Sequence, residues 1–215
     1  MTFFGIDEAG KGPIIGPLVM AAVCVKDLGV LEQMNVKDSK LLTPQQREDL
    51  FDELVNALTE DEFRIVEISP AIIDKAVRFN NFNWLEADYT VDLINHFRPT
   101  TVIVDCPSRN IRAYKEYIFE RLIQKPQEIF CEYKADANYP IVAAASILAK
   151  VTRDRIVAAL HKEVGVDFGS GYLTDPKTKP FLKECWQTHA KLFRKSWAPY
   201  RILQNAAGQQ KLGDF

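Results

Sequence analysis

The chain has 215 residues, 47% of them hydrophobic and 26% charged, with a formal net charge of −2. That length supports one large domain, or a domain with a helical appendix, around a sizeable core. The near-zero charge excludes a global basic field, so a polyanion must be held by a local patch. No apolar run approaches a membrane span, and the N-terminus lacks the basic flank and long apolar core of a secretory signal.

The elements follow in chain order. "TFFGID" predicts a first strand and "GPLVMAAVCVK" a second, since β-branched and small apolar residues dominate both. Between them, Gly10, Gly12 and Gly16 form a loose G-x-G-x-x-x-G. A dinucleotide loop needs free N–H groups at a helix start. Here Pro13 removes one N–H, two carboxylates precede the loop, and a strand follows, so that reading is rejected. "TPQQREDLFDELVNALT" predicts a helix with Thr43 as N-cap, Pro44 at the first helical position and Gln46 completing a capping box. Leu50, Phe51, Leu54 and Leu58 share one face of it.

"FRIVEIS" predicts a third strand, after which Ser69-Pro70 and Asn83-x-x-Glu86 mark two helix starts. "TTVIVDC" is a continuous apolar run, the pattern of a strand covered on both faces. A helix rich in Tyr and Arg follows Ser108, "EIFCEY" predicts a last short strand, and "PIVAAASILAKVTRDRIVAALHKE" a long helix packed through its alanines. From Gly165 onward the pattern is loops and helices only. The sum is an α/β sheet domain with a C-terminal helical cap and no linker between independent domains.

Cys24, Cys106, Cys131 and Cys185 are far apart and include no C-x-x-C pair, which suits free thiols in a reducing compartment; Cys106 and Cys131 become neighbours if their strands pair. His96, His161 and His189 lie in helical patterns without metal-ligand spacing. Between 177 and 201, seven Lys and Arg stand against one acid, Glu184. That run reads equally as a solvated helix face and as an anion-binding patch.

Three predicted strands lead into carboxylates: Asp7-Glu8, Asp105 and Asp136. Turns are solvated and commonly carry acids, so each alone has an ordinary explanation. Together they place four acids at strand ends, where ligand sites gather in open α/β sheets. Hard oxygen donors without a nearby His point to Mg²⁺ or Mn²⁺ rather than zinc. A pair of such ions about 4 Å apart suits phosphodiester hydrolysis.

The segments "GIDEAGKGPIIGPLVMAA", "VKDSKLL", "VDCPS", "KADANYPIVAAASILAKVTRD" and "GSGYLTDP" together resemble ribonuclease HII, in order from about residue 3 to about residue 180. The resemblance implies a ribonuclease H-like mixed β-sheet flanked by helices. It also implies an endonuclease that hydrolyses the RNA strand of RNA–DNA hybrids and nicks 5′ of a single ribonucleotide in duplex DNA. Matched motif by motif, the catalytic and metal-binding acids fall on Asp7, Glu8, Asp105 and Asp136, holding two divalent ions, Mg²⁺ or Mn²⁺. Substrate contacts fall on Gly10, Lys11 and Gly12, whose backbone reads the 2′-hydroxyl that separates RNA from DNA. Tyr172 matches a tyrosine packing on the neighbouring sugar; Lys40 and Lys150 are phosphate contacts or plain surface charges. Many family members carry Gly-Arg-Gly where this chain has Gly10-Lys11-Gly12, which removes a bidentate phosphate contact but not the backbone reading.

The last seven residues, "QQKLGDF", place Gln209, Leu212 and Phe215 in a Q-x-x-L-x-x-F pattern similar to the sliding-clamp-binding box. A short flexible tail presents such apolar anchors by folding on binding. The expected organisation is a catalytic domain over 1–165, a helical subdomain over 166–205 and a flexible tail over 206–215. The expected setting is a cytoplasmic, nucleoid-associated monomer with roles in primer removal and repair. Two rivals stay open: another ribonuclease H-like nuclease acting on DNA junctions, and a non-catalytic hybrid- or clamp-binding module.

Overall fold

The computed structural model describes residues 1–34, 36, 42–79 and 82–212, with residues 210–212 as backbone alone. Strand β1 (Phe3–Ala9) pairs antiparallel with β2 (Leu18–Val25), from Phe3↔Val25 to Ala9↔Val19. On its other side β1 pairs in parallel with β4 (Thr101–Asp105), and β4 in parallel with β5 (Glu128–Glu132). With β3 (Phe63–Ile68) outside β2, the order is β3-β2-β1-β4-β5, a mixed five-stranded sheet. All eight residues of β2 and the first four of β4 are buried, as unbroken apolar strands require. Cys106, the residue after β4, donates its N–H to Glu132 O beside Cys131 on β5, and all four cysteines are free.

The helices are α1 (Gly29–Gln33), α2 (Pro44–Ala57), α3 (Pro70–Arg78), α4 (Phe82–Phe97), α5 (Ile111–Arg121), α6 (Ala135–Asn138), α7 (Pro140–Val164), α8 (Thr178–Cys185) and α9 (Ala198–Leu212). The capping box on α2 forms as read: Gln46 N–H donates to Thr43 Oγ1 at 3.2 Å and Thr43 N–H to Gln46 Oε1 at 2.8 Å. Ser69 caps α3 through Ile72 N–H. Helix α4 begins one residue before Asn83, and Glu86 in its first turns is fully buried. Among the described residues no helix is long and apolar enough to cross a membrane.

The chain forms two interleaved compact units, which differs from the expected division at 165. The first comprises Met1–Ala9, Val19–Glu67 and Phe82–Thr152; the second comprises Gly10–Leu18, Ile68–Asn81 and Arg153–Phe215. The division falls inside α7: the second unit takes in two early segments, and one of them supplies Ile14 and Ile15 to its apolar cluster.

In the first unit, β1 alternates its residues between two helical layers. Phe4 meets Phe97 of α4, with ring centroids 5.8 Å apart. Gly5 faces α7 so closely that a Cβ would stand 2.7 Å from the Ile141 backbone, so only glycine admits the helix there. In the second unit, Ile14 and Ile15 join Val157, Phe168, Phe181, Leu182, Phe193 and Tyr200 in one apolar cluster. Ile14 N–H donates to Gly171 O at 2.9 Å, Gly16 N–H to Leu192 O at 2.9 Å, and Arg194 N–H to Ile14 O at 2.9 Å. The units also divide the charge. The second holds 14 Lys and Arg against 7 Asp and Glu, a net of +7, leaving 13 against 22 and a net of −9 in the first.

Helix α9 runs through Leu212, into the segment expected as a tail from 206. Its Ala-, Gln- and Leu-rich composition is helix-forming, and Gly208 is absorbed within it.

Candidate active site

The parallel ladder between β1 and β4 ends at Ile6↔Val104. The next residues on the two strands are Asp7 and Asp105, and residues in register on parallel strands share a face. Asp7 therefore lies within β1, whose pairing with β2 runs two residues further. Asp105 Oδ1 accepts the N–H of Ala135 at 2.9 Å, tying the end of β4 to the start of α6. Lys134, at φ +57°, turns the chain into that helix, whose first turn carries Asp136.

Asp7 and Asp136 are almost fully buried. Burial first, then Asp105 and more weakly Asp136, push the Asp7 carboxyl up from 3.8 to about 7. Hydrogen bonds from Ser146 of α7 and from Glu8 N–H, the latter at 2.7 Å, pull the other way without prevailing. Asp105 and Asp136 so placed disfavour the ionisation of Asp7, and a hard divalent cation relieves that conflict. The all-oxygen donor set suits such a cation. Among the described residues no three acidic, imidazole or thiolate side chains close into a finished cage. The fit therefore rests on the charge conflict at Asp7 and on donor chemistry.

Glu8 behaves differently from its neighbour. Strand residues alternate faces, so Glu8 leaves β1 on the side opposite Asp7. Its charge is felt at buried Tyr114 of α5, whose phenol is held well above its usual range by burial first, then Glu86, with Glu8 adding to it. The structure thus gathers Asp7 with Asp105 and Asp136.

Within the second unit, Gly10 takes φ +89°, and a Cβ there would run into the Arg153 side chain and stand 2.8 Å from Pro17 O. Gly12 lies under Tyr172: a Cβ on it would stand 3.5 Å from the ring. Two of the sequence-predicted substrate residues therefore do come together. Arg153 holds the same neighbourhood, with its guanidinium 5.2 Å from the Tyr172 ring centroid and Nη2 donating to Ser170 O at 3.0 Å. Fully buried Arg194 donates from Nη2 to Gly10 O at 2.6 Å, from Nη1 to Lys11 O at 2.8 Å and from Nε to Gly16 O at 3.1 Å. Trp197 Nε1 donates to Gly12 O at 3.3 Å. Arg153, Arg194 and Trp197 escape the motif reading. The one hint is that Arg194 sits in "FRKSW", flanked by aromatics as a surface cation seldom is.

The basic run resolves into separate parts. Arg194 is consumed by the loop, and Lys177 pairs with Asp167. Lys195 and Arg201 instead join Arg78 of α3 around a pocket of about 470 Å³, with Asp74 and Gln204. Among the described residues no carboxylate pairs with the Arg78, Lys195 or Arg201 side chains. A pocket of about 650 Å³ between α5 and β5 is lined by none of the predicted site residues. Lys150 is half-buried on α7 and Gln209 exposed on α9. Leu212 is the last residue of α9, while Lys40 and Phe215 lie outside the described residues.

A mixed five-stranded sheet with flanking helices and strand-end carboxylates defines a ribonuclease H-like protein. The family model described as ribonuclease HII matches residues 4–200. A ribonuclease HII of Nanoarchaeum equitans is 42% identical over 218 residues, covering 100% of both chains. The crystal structure of ribonuclease H2 from Pyrococcus horikoshii superposes with a TM-score of 0.85 at 38% identity, covering 96% of this chain and 98% of that one. The ribonuclease HII in a complex with PCNA from Archaeoglobus fulgidus gives 0.81 at 36% identity, covering 92% and 95%. The chain belongs to the ribonuclease HII family and is an endoribonuclease of the ribonuclease H type.

Proposed function

We propose that the protein hydrolyses the RNA strand of RNA–DNA hybrids and nicks 5′ of single ribonucleotides in duplex DNA, leaving a 3′-hydroxyl and a 5′-phosphate. The observation that carries the reading is the buried Asp7 carboxyl, raised to about 7 beside Asp105 and Asp136. Asp7, Glu8, Asp105 and Asp136 hold two divalent cations, Mg²⁺ or Mn²⁺. When bound, these supply the Lewis acidity that makes water a nucleophile and stabilises the departing 3′-oxygen.

The rest of the work falls to the chain itself. The Gly10-Lys11-Gly12 backbone approaches the ribose 2′-hydroxyl closely because two of the three residues lack side chains. Tyr172 offers its ring to the adjoining sugar, supported by its contact with Gly12 and Arg153. Lys11, Lys40 and Lys150 contact phosphates, and Arg78, Lys195 and Arg201 offer further cations to the nucleic-acid backbone. The net +7 of the second unit supports that assignment for Lys11, Arg78, Lys195 and Arg201.

Gln209, Leu212 and Phe215 dock on a sliding clamp, which would place the enzyme in primer removal and ribonucleotide excision. The PCNA complex of the Archaeoglobus relative supports this.

The test is a duplex containing one ribonucleotide, incubated with Mg²⁺, with Mn²⁺ and with chelator, beside an all-DNA duplex. A metal-dependent nick 5′ of the ribonucleotide alone is expected. Equal cleavage of both duplexes, or none of either, would overturn the reading.

A further inference from the structure

The carbonyls of Gly10, Lys11 and Gly12 are all engaged from one short turn. Arg194 takes the first two and Trp197 the third. An extended chain points successive carbonyls in alternate directions, so a shared engagement of these three marks a turn, which the chain enters through Gly10 at φ +89°. In a trans peptide the N–H points opposite to the C=O of the same unit. Holding the Gly10 and Lys11 carbonyls toward Arg194 therefore turns the N–H groups of Lys11 and Gly12 away from it. The third peptide offers no such donor, because Pro13 follows Gly12.

The turn is itself braced. Asp74 of α3 accepts the N–H of Lys195 at 3.0 Å, the N–H of Ser196 at 2.8 Å and the Ser196 hydroxyl at 2.6 Å. Trp197 stacks near the guanidinium, its ring centroid 5.1 Å from Arg194 Cζ. A buried guanidinium is costly unless its fork is well matched by acceptors, and here three of its donors meet carbonyls of one loop.

We infer that the Arg194–Trp197 turn is the positioning element for ribose recognition: Arg194 and Trp197, braced by Asp74, fix the peptide planes of residues 10–12 so that the loop meets a 2′-hydroxyl in one orientation. This rests on the reading of that loop given above. Arg194 and Trp197 are positioning residues and touch no reacting atom. Their loss blurs the distinction between ribose and deoxyribose before it harms turnover.

The test measures KM and kcat for nicking a one-ribonucleotide duplex, and the inhibition constant of an all-DNA duplex of the same sequence. The ratio of that inhibition constant to KM is the discrimination. Arg194→Lys is expected to lower it roughly tenfold, the scale of one or two misaligned hydrogen bonds. Trp197→Phe keeps the ring and removes one donor, and is expected to lower it roughly threefold. Asp74→Asn should fall between them, with the inhibition constant unchanged in all three. A merely structural role would reduce the active fraction, and so kcat, while leaving the ratio at its wild-type value; that outcome overturns the inference. If Arg194→Lys fails to fold, Trp197→Phe decides alone. A wild-type protein without discrimination would instead refute the loop reading and take the inference with it.

Discussion

Replacing Asp7 by Asn removes a charge that the fold resists while keeping the side chain's shape. The carboxyl is raised from 3.8 to about 7, equivalent to a stability penalty of up to about 4 kcal/mol once both folded and unfolded forms are ionised. A raised carboxyl means that the folded chain holds its proton more tightly than the unfolded one. The metal-free wild type is therefore least burdened below about pH 4, loses stability as pH rises toward 7, and stays at that lower level above it. Asn cannot ionise and escapes the penalty. In chelator at pH 8, urea unfolding should find Asp7→Asn more stable than wild type by about 2–4 kcal/mol. The gap should close as the pH falls to 4. Adding Mg²⁺ should then stabilise the wild type more than the variant, and the variant should not nick. A variant no more stable than wild type at pH 8, or a gap indifferent to pH, would refute the placement of the buried Asp7 beside Asp105 and Asp136.

Gly5→Ala drives a methyl into the Ile141 backbone of α7, so it should cost about 1–3 kcal/mol and lower Tm by several degrees in a thermal melt. Tyr172→Ala should reduce kcat/KM roughly tenfold or more through lost stacking, whereas Tyr172→Phe should retain most of it. Replacing Arg78 and Arg201 together by Gln should raise KM for the hybrid and flatten the dependence of log K on log salt by about 2, read by anisotropy across a salt series. Deleting residues 209–215 should abolish retention on an immobilised sliding clamp while leaving nicking of a short duplex intact; undiminished retention would remove the clamp assignment.

Local signals were the legible ones. Thr43 to Gln46 and Ser69-Pro70 each announce a helix start through bonds spanning three residues, and both appear where read. The unbroken apolar runs of β2 and β4 likewise declare strands buried on both sides. The strand order and the weaving of two units were not legible. They depend on pairings such as Ile6↔Val104, across nearly half the chain. Asp7, Asp105 and Asp136 could be named from strand ends, but setting Asp7 level with Asp105 required the actual register of β1 on β4. Arg194 was concealed by its own chemistry. A cation in a basic run reads as surface, and only its contacts with three carbonyls reveal an interior strut. Asn83 misled slightly in the same way, since α4 starts one residue earlier.

The unequal division of charge has a kinetic consequence. A polyanion is attracted by the net charge of the +7 unit and repelled by that of the −9 unit, so, on the function proposed above, capture and cutting would answer to different ions. Monovalent salt screens the attraction and slows arrival. Divalent cations offset the opposing field as well as serving the chemistry, so their depletion should slow association before turnover becomes limiting. The protein would then respond to its cation supply more steeply than occupancy of a catalytic centre alone dictates, most of all at low ionic strength, where neither field is screened.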